Sequence, residues 1–69
     1  MHTGSFRAGF VMEHGVAVFR KGDDKILIKD RWLEIRRSSS GAHDHLVLLV
    51  DRADALAIAE MVLSQMRNP

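Results

Sequence analysis

The chain has 69 residues, is 46% hydrophobic, and carries ten Lys and Arg against nine Asp and Glu, for a net charge of +1. It is therefore one domain near the lower size limit for independent folding, too balanced in charge to announce a nucleic-acid binder. Cysteine is absent, which excludes disulfides and thiolate zinc sites and leaves oligomerisation, histidine or carboxylate ligation of a metal, or close packing to support the core.

Charge is unevenly spread. Residues 20–37 hold seven basic residues (Arg20, Lys21, Lys25, Lys29, Arg31, Arg36, Arg37) and four acidic ones (Asp23, Asp24, Asp30, Glu34), whereas residues 51–67 hold two basic and three acidic. No apolar run approaches a transmembrane span, and residues 1–10 lack the continuous apolar core of a secretory signal. A cytoplasmic location is the resulting expectation.

Residues 6–13 read as a first strand, with Phe6, Ala8, Phe10 and Met12 on one face. Gly9 within it marks a bulge or a close approach of backbone. His14-Gly15 supplies a turn, and VAVFR over 16–20 a second strand rich in β-branched and aromatic residues. Lys21-Gly22-Asp23-Asp24 is the clearest turn of the chain. A third strand, KILIK over 25–29, places Ile26 and Ile28 inward and Lys25, Leu27 and Lys29 outward. Asp30-Arg31 reads equally as a tight turn or as a bulge in one bent strand. WLEIRR over 32–37 alternates strictly, with Leu33 and Ile35 toward the core and Trp32, Glu34 and Arg36 away from it.

A polar loop, SSSGAHD over 38–44, leads to a fifth strand over 45–50 that is apolar on both faces, the pattern of a central or doubly covered strand. Asp51 is placed to cap a helix over 52–67, with Asp54 in its first turn. At 100° per residue the helix carries a broad apolar arc of Ala55, Leu56, Ile58, Ala59, Val62, Leu63 and Met66, with Met61 and Ala57 beside it. That arc is wider than one small sheet requires. Val47, Leu49, Ala57, Ile58, Met61 and Val62 are the expected dimer interface.

Residues with chemical potential are few. His43 and His45 alternate in an extended segment, so both imidazoles share a side and could hold one ion, with His14 as a distant third ligand. The ordinary reading is a hairpin loop entering its strand, and no metal or cofactor is expected. Ser38, Ser39 and Ser40 near His43 and Asp44 contain the residue types of a hydrolase triad, but one short loop supplies no rigid frame for catalysis. The five glycines are dispersed and form no phosphate loop. No enzyme and no small-molecule substrate is expected. The outer face formed by Lys25, Leu27, Lys29, Arg31, Trp32 and Arg36 is the candidate binding face. Cations beside an aromatic ring suit a protein hot spot, phosphate tracking with base stacking, or a solvated face covered by long side-chain stems.

From residue 25 to residue 63 the order KILIK, WLEIRR, loop, HLVLLV, DRADALAIAEMVL resembles the core of the positive cofactor four family. The resemblance implies a four-stranded antiparallel sheet followed by a helix, dimerisation through that helix, and single-stranded DNA binding on basic strands. Trp32 and Lys29 would stand where that family places stacking and phosphate contacts. In size and build the chain also resembles small phage-encoded inhibitors of host regulators, the anti-quorum-sensing proteins of Pseudomonas transposable phages. That resemblance implies a dimer that binds a LuxR-type transcription regulator and a pilus-assembly ATPase.

The combined expectation is an α+β fold: an antiparallel sheet of four to five strands, then one C-terminal helix packed on it, in a homodimer. The expected function is a non-enzymatic regulator that binds and modulates or inhibits another protein, in the manner of a phage-encoded inhibitor of a host transcription regulator. The alternative is a single-stranded nucleic-acid-binding protein. No membrane association is expected.

Overall fold

The computed structural model describes residues 9–39 and 43–67. Five antiparallel strands and one helix follow one another: β1 (Phe10–Glu13), β2 (Val16–Lys21), β3 (Asp24–Ile28), β4 (Trp32–Ser38), β5 (Asp44–Asp51) and α1 (Arg52–Arg67). The sheet order is β1-β2-β3-β4-β5, so every strand pairs with its chain neighbour and the sheet is a meander. The expected antiparallel sheet followed by one C-terminal helix is the observed architecture. Phe6 and Ala8 of the expected first strand lie outside the described residues, as do Ser40 to Ala42 of the β4–β5 loop. No described helix is long and apolar enough to cross a membrane.

Turn chemistry explains the meander. His14 and Gly15 both have positive φ, 51° and 80°, between the paired Glu13 and Val16. Two successive positive-φ residues are the requirement of a type I′ turn, whose twist matches the strands it joins. Gly22, with φ 60°, opens the two-residue turn between Lys21 and Asp24, the position that favours glycine in II′ hairpins. Asp30-Arg31, open between turn and bulge from the residues alone, is a turn closed by the Lys29 N–H donating to the Trp32 carbonyl at 3.0 Å. Gly9 marks a close approach, since a Cβ there would sit 3.0 Å from the Phe19 ring.

The register sorts the side chains onto two faces. One carries Phe10 and Met12, Ala17 and Phe19, Ile26 and Ile28, Leu33 and Ile35, Leu48 and Val50, aligned across the ladder. It is almost wholly apolar, and Phe10 and Phe19 pack on it with ring centroids 5.2 Å apart. The other carries Val18, Lys25, Leu27, Trp32, Glu34, Arg36 and Leu49. A register shift where Ile35 pairs Leu48 but Arg36 pairs Leu46 leaves Val47 as the extra residue of a bulge.

Little of the apolar surface is covered. Val18 and Val50 are the buried hydrophobic residues among those described. The helix contains no buried residue and meets the sheet only along β4 and β5. Its start lies over the apolar face, where Ala55 and Leu56 share a hollow with Ile28 and Leu33. The Asp51 carboxylate accepts from the Asp54 N–H at 2.9 Å, the expected N-cap. β5, apolar on both faces, is not a central strand: it is an edge, and its residues 46–49 are 45–55% exposed.

The type I′ turn is testable. A methyl at Gly15 meets nothing within 4 Å, so Gly15→Ala should destabilise through the left-handed backbone alone, by about 1–2 kcal/mol in urea unfolding. His14→Asn, which tolerates the same region, should be neutral. Equal stability of Gly15→Ala and the parent would refute the turn.

Candidate functional site: a charged face and an apolar hollow

Strand alternation puts Trp32, Glu34 and Arg36 on the same face of β4, and the adjoining β3 hairpin adds Lys25, Leu27 and Lys29. At their centre is Glu34, only 8% exposed and the buried charged residue among those described. It lies between Leu27 of β3 and Leu49 of β5, its partners across the ladder. A carboxylate in that position needs donors for both oxygens, and it has them. The Trp32 indole Nε1–H donates to Oε2 at 2.6 Å, Lys29 Nζ lies 2.8 Å from the same oxygen, and Arg36 donates to Oε1 at 3.0 Å.

Arg36 also reaches Asp44 at 3.6 Å, and Lys25 meets Asp44 at 2.9 Å. Lys29 lies 5.0 Å from the centre of the Trp32 ring, within the range of a cation–π contact. Three cations (Lys25, Lys29, Arg36) thus face two carboxylates (Glu34, Asp44) in one connected network. Its electrostatics follow from the geometry. The hydrogen bond from Lys29, then that from Trp32, lower the Glu34 pKa from 4.5 to about 2 against the opposing effect of burial. The hydrogen bond from Lys25 likewise holds Asp44 below the usual carboxylate range.

The structure therefore brings together five of the six expected binding-face residues, Lys25, Leu27, Lys29, Trp32 and Arg36, but pairs the three cations internally. Arg31 stands apart in the β3–β4 turn, exposed and without an ion pair among the described residues. It borders the hollow between that turn and the helix start, lined by Ile28, Trp32, Leu33, Ala55 and Leu56, with Lys29, Asp30, Arg31 and Arg52 at its charged margin. The floor is apolar and the rim mostly basic. Alternation in sequence identified the outer face but not this hollow, because Leu56 and Arg52 join it only once the helix folds back beside the β3–β4 turn. Glu34 and Asp44 were also missed as organising residues. The available signal was a lone acid at the centre of a basic alternating strand.

Other expected groupings are spread apart. His14 sits in the β1–β2 turn, at the opposite edge and opposite end of the meander from His43 and His45. Among the described residues no cluster of three or more metal-ligating side chains forms. Ser38 belongs to β4, where its N–H donates to the Asp23 carbonyl at 2.8 Å. The expected dimer residues Val47, Leu49, Ala57, Ile58, Met61 and Val62 are all exposed.

Fold and site together define an α+β arrangement of one antiparallel sheet and one helix, with one charged face and one apolar face that the helix only partly covers. The chain matches no protein-family model, no curated protein and no solved structure.

Glu34 supplies a pH-dependence with a definite sign. Its folded pKa lies below its unfolded value, so the stability it contributes is complete above pH 4.5 and is lost as pH falls toward about 2. Trp32 is the single tryptophan and is bonded to that carboxylate, so its emission reports the event. Emission should change with a midpoint well below pH 4.5, and Glu34→Gln should remove that transition. A midpoint at an ordinary glutamate pKa would refute the network.

Proposed function

We propose that this chain is a small, non-enzymatic homodimeric protein that regulates or inhibits another protein by binding it at the β3–β4 turn. The observation that carries this reading is the apolar hollow beside Trp32 and Leu56, rimmed by Arg31 and Arg52. An apolar floor with a mostly basic rim, on which Arg31 and Arg52 have no ion pair among the described residues, suits an apolar side chain presented from an acidic segment. Trp32, one of the lining residues, is 36% exposed, and its indole is fixed by the hydrogen bond to Glu34.

The same network disfavours the nucleic-acid alternative. Lys25, Lys29 and Arg36 each lie 2.8–3.0 Å from a carboxylate, so phosphate would have to displace Glu34 or Asp44. Counterion release needs cations that neutralise phosphate rather than neighbouring acids. The likeness in build to phage-encoded inhibitors suggests a transcription regulator as the class of target, and the excess apolar surface supports the homodimer.

Affinity capture from the native host, followed by titration with the purified prey, tests the assignment. Arg31→Glu and Leu56→Asp should each weaken binding at least tenfold, a loss of about 1.4 kcal/mol or more. Lys21→Glu, remote from the hollow, should not. Binding of a single-stranded oligonucleotide that falls steeply with salt and is lost in Trp32→Ala would replace this reading with the alternative.

A further inference from the structure

The hollow leaves a larger surface unused. β5 pairs with β4 along one edge, and its other edge has no strand partner among the described residues. Exposed sheet edges are normally short, charged, bulged or interrupted by proline, because their unpaired backbone groups template further pairing. The opposite edge obeys this: β1 has four residues and ends in a Glu13–Arg20 ion pair of 2.9 Å. β5 carries the bulge at Val47 but is neither short nor charged along its middle: it has eight residues, and between its terminal acids and His45 it is wholly apolar.

Residues 46–49 are 45–55% exposed, and Ile58, Met61 and Leu63 of the adjoining helix, all outside the hollow, are 50–60% exposed. At roughly 100 Å² for a half-exposed large side chain, these seven present on the order of 700 Å². That is about what one partner contributes to a standard stable interface.

We infer that a second copy of this chain covers this surface by pairing β5 with β5 antiparallel, joining two sheets into one of ten strands. The inference rests on the homodimer within the proposed function and specifies how it forms. A two-fold axis normal to the sheet is the symmetry that joins two edges antiparallel while keeping like faces on the same side. Both helices then lie on one face beside the axis, where their exposed apolar stripes can meet. A strand from an unrelated protein would pair with β5 but would leave the helix uncovered. A second copy covers both. The acids at the ends of β5 do not oppose this, because Asp44 is neutralised within its own chain by Lys25 and Arg36.

The test combines light scattering with amide hydrogen exchange on the full chain. The parent should have a dimer mass at tens of micromolar, with slow exchange along 46–49 that becomes fast on dilution below the dissociation constant. Val47→Lys and Leu49→Lys, at half-exposed positions, should weaken dimerisation at least tenfold while circular dichroism stays unchanged. Met12→Lys, on the opposite edge strand, should leave it intact. A dimer insensitive to both β5 substitutions, with fast exchange at 46–49, would overturn the edge pairing and leave the homodimer standing. A monomeric parent would overturn both. A monomer whose residues 46–49 become protected only on adding a captured protein would assign the edge to that protein and likewise overturn the pairing.

Discussion

A single-layer sheet has two faces to remove from water, and this chain has one helix with which to do it. That shortage governs the rest of the structure. The helix touches the sheet near its own start and along β4 and β5, so Phe10, Phe19, Ile26 and Ile35 are only partly buried and most of the helical stripe is exposed. Hydrophobic burial is the dominant favourable contribution in small domains. Two hydrophobic side chains are buried among those described, and the proposed homodimer would add apolar burial that the described residues lack.

The second face meets the same difficulty with charge. Glu34 draws in Trp32, Lys29 and Arg36 from positions that would otherwise extend into solvent, and their apolar stems then screen the strands beneath them. Removing one partner would leave a largely buried carboxylate undersatisfied, which costs more than an exposed ion pair would yield. The network is thus a cover as well as a charge arrangement.

Much of this was legible in the residues because alternation and turn chemistry are local. Ile26, Ile28, Leu33 and Ile35 share a face, as their spacing requires, and His14-Gly15, Gly22 and Asp51 act as turn, turn and cap. Strand position within the sheet was not legible. An apolar strand over 46–50 has the composition of a central strand, yet chain order in a meander puts it at the edge. Periodicity reports which faces are apolar, not which are covered. The hollow was hidden for a related reason: its wall is completed by Arg52 and Leu56, at least twenty residues beyond Arg31 and Trp32.

The two proposed surfaces differ in the physics by which they would associate. The β5 edge and the helical stripe offer backbone groups and aliphatic side chains, whose association depends weakly on salt. The hollow combines an apolar floor with Arg31 and Arg52, whose attraction for an acidic partner is screened over about 8–10 Å at ordinary ionic strength. The proposed self-association and the proposed target binding would therefore respond to salt differently, and they need not compete for the same residues. The helix is the shared element: Leu56 faces the hollow, whereas Met61 and Leu63 extend the apolar stripe further along. Fixing the helix in a dimer would also fix Arg52 and Leu56 beside the β3–β4 turn, reducing the ordering that target binding requires. Dimerisation would then act on target affinity through preorganisation, without the partner chain contributing any residue to the hollow.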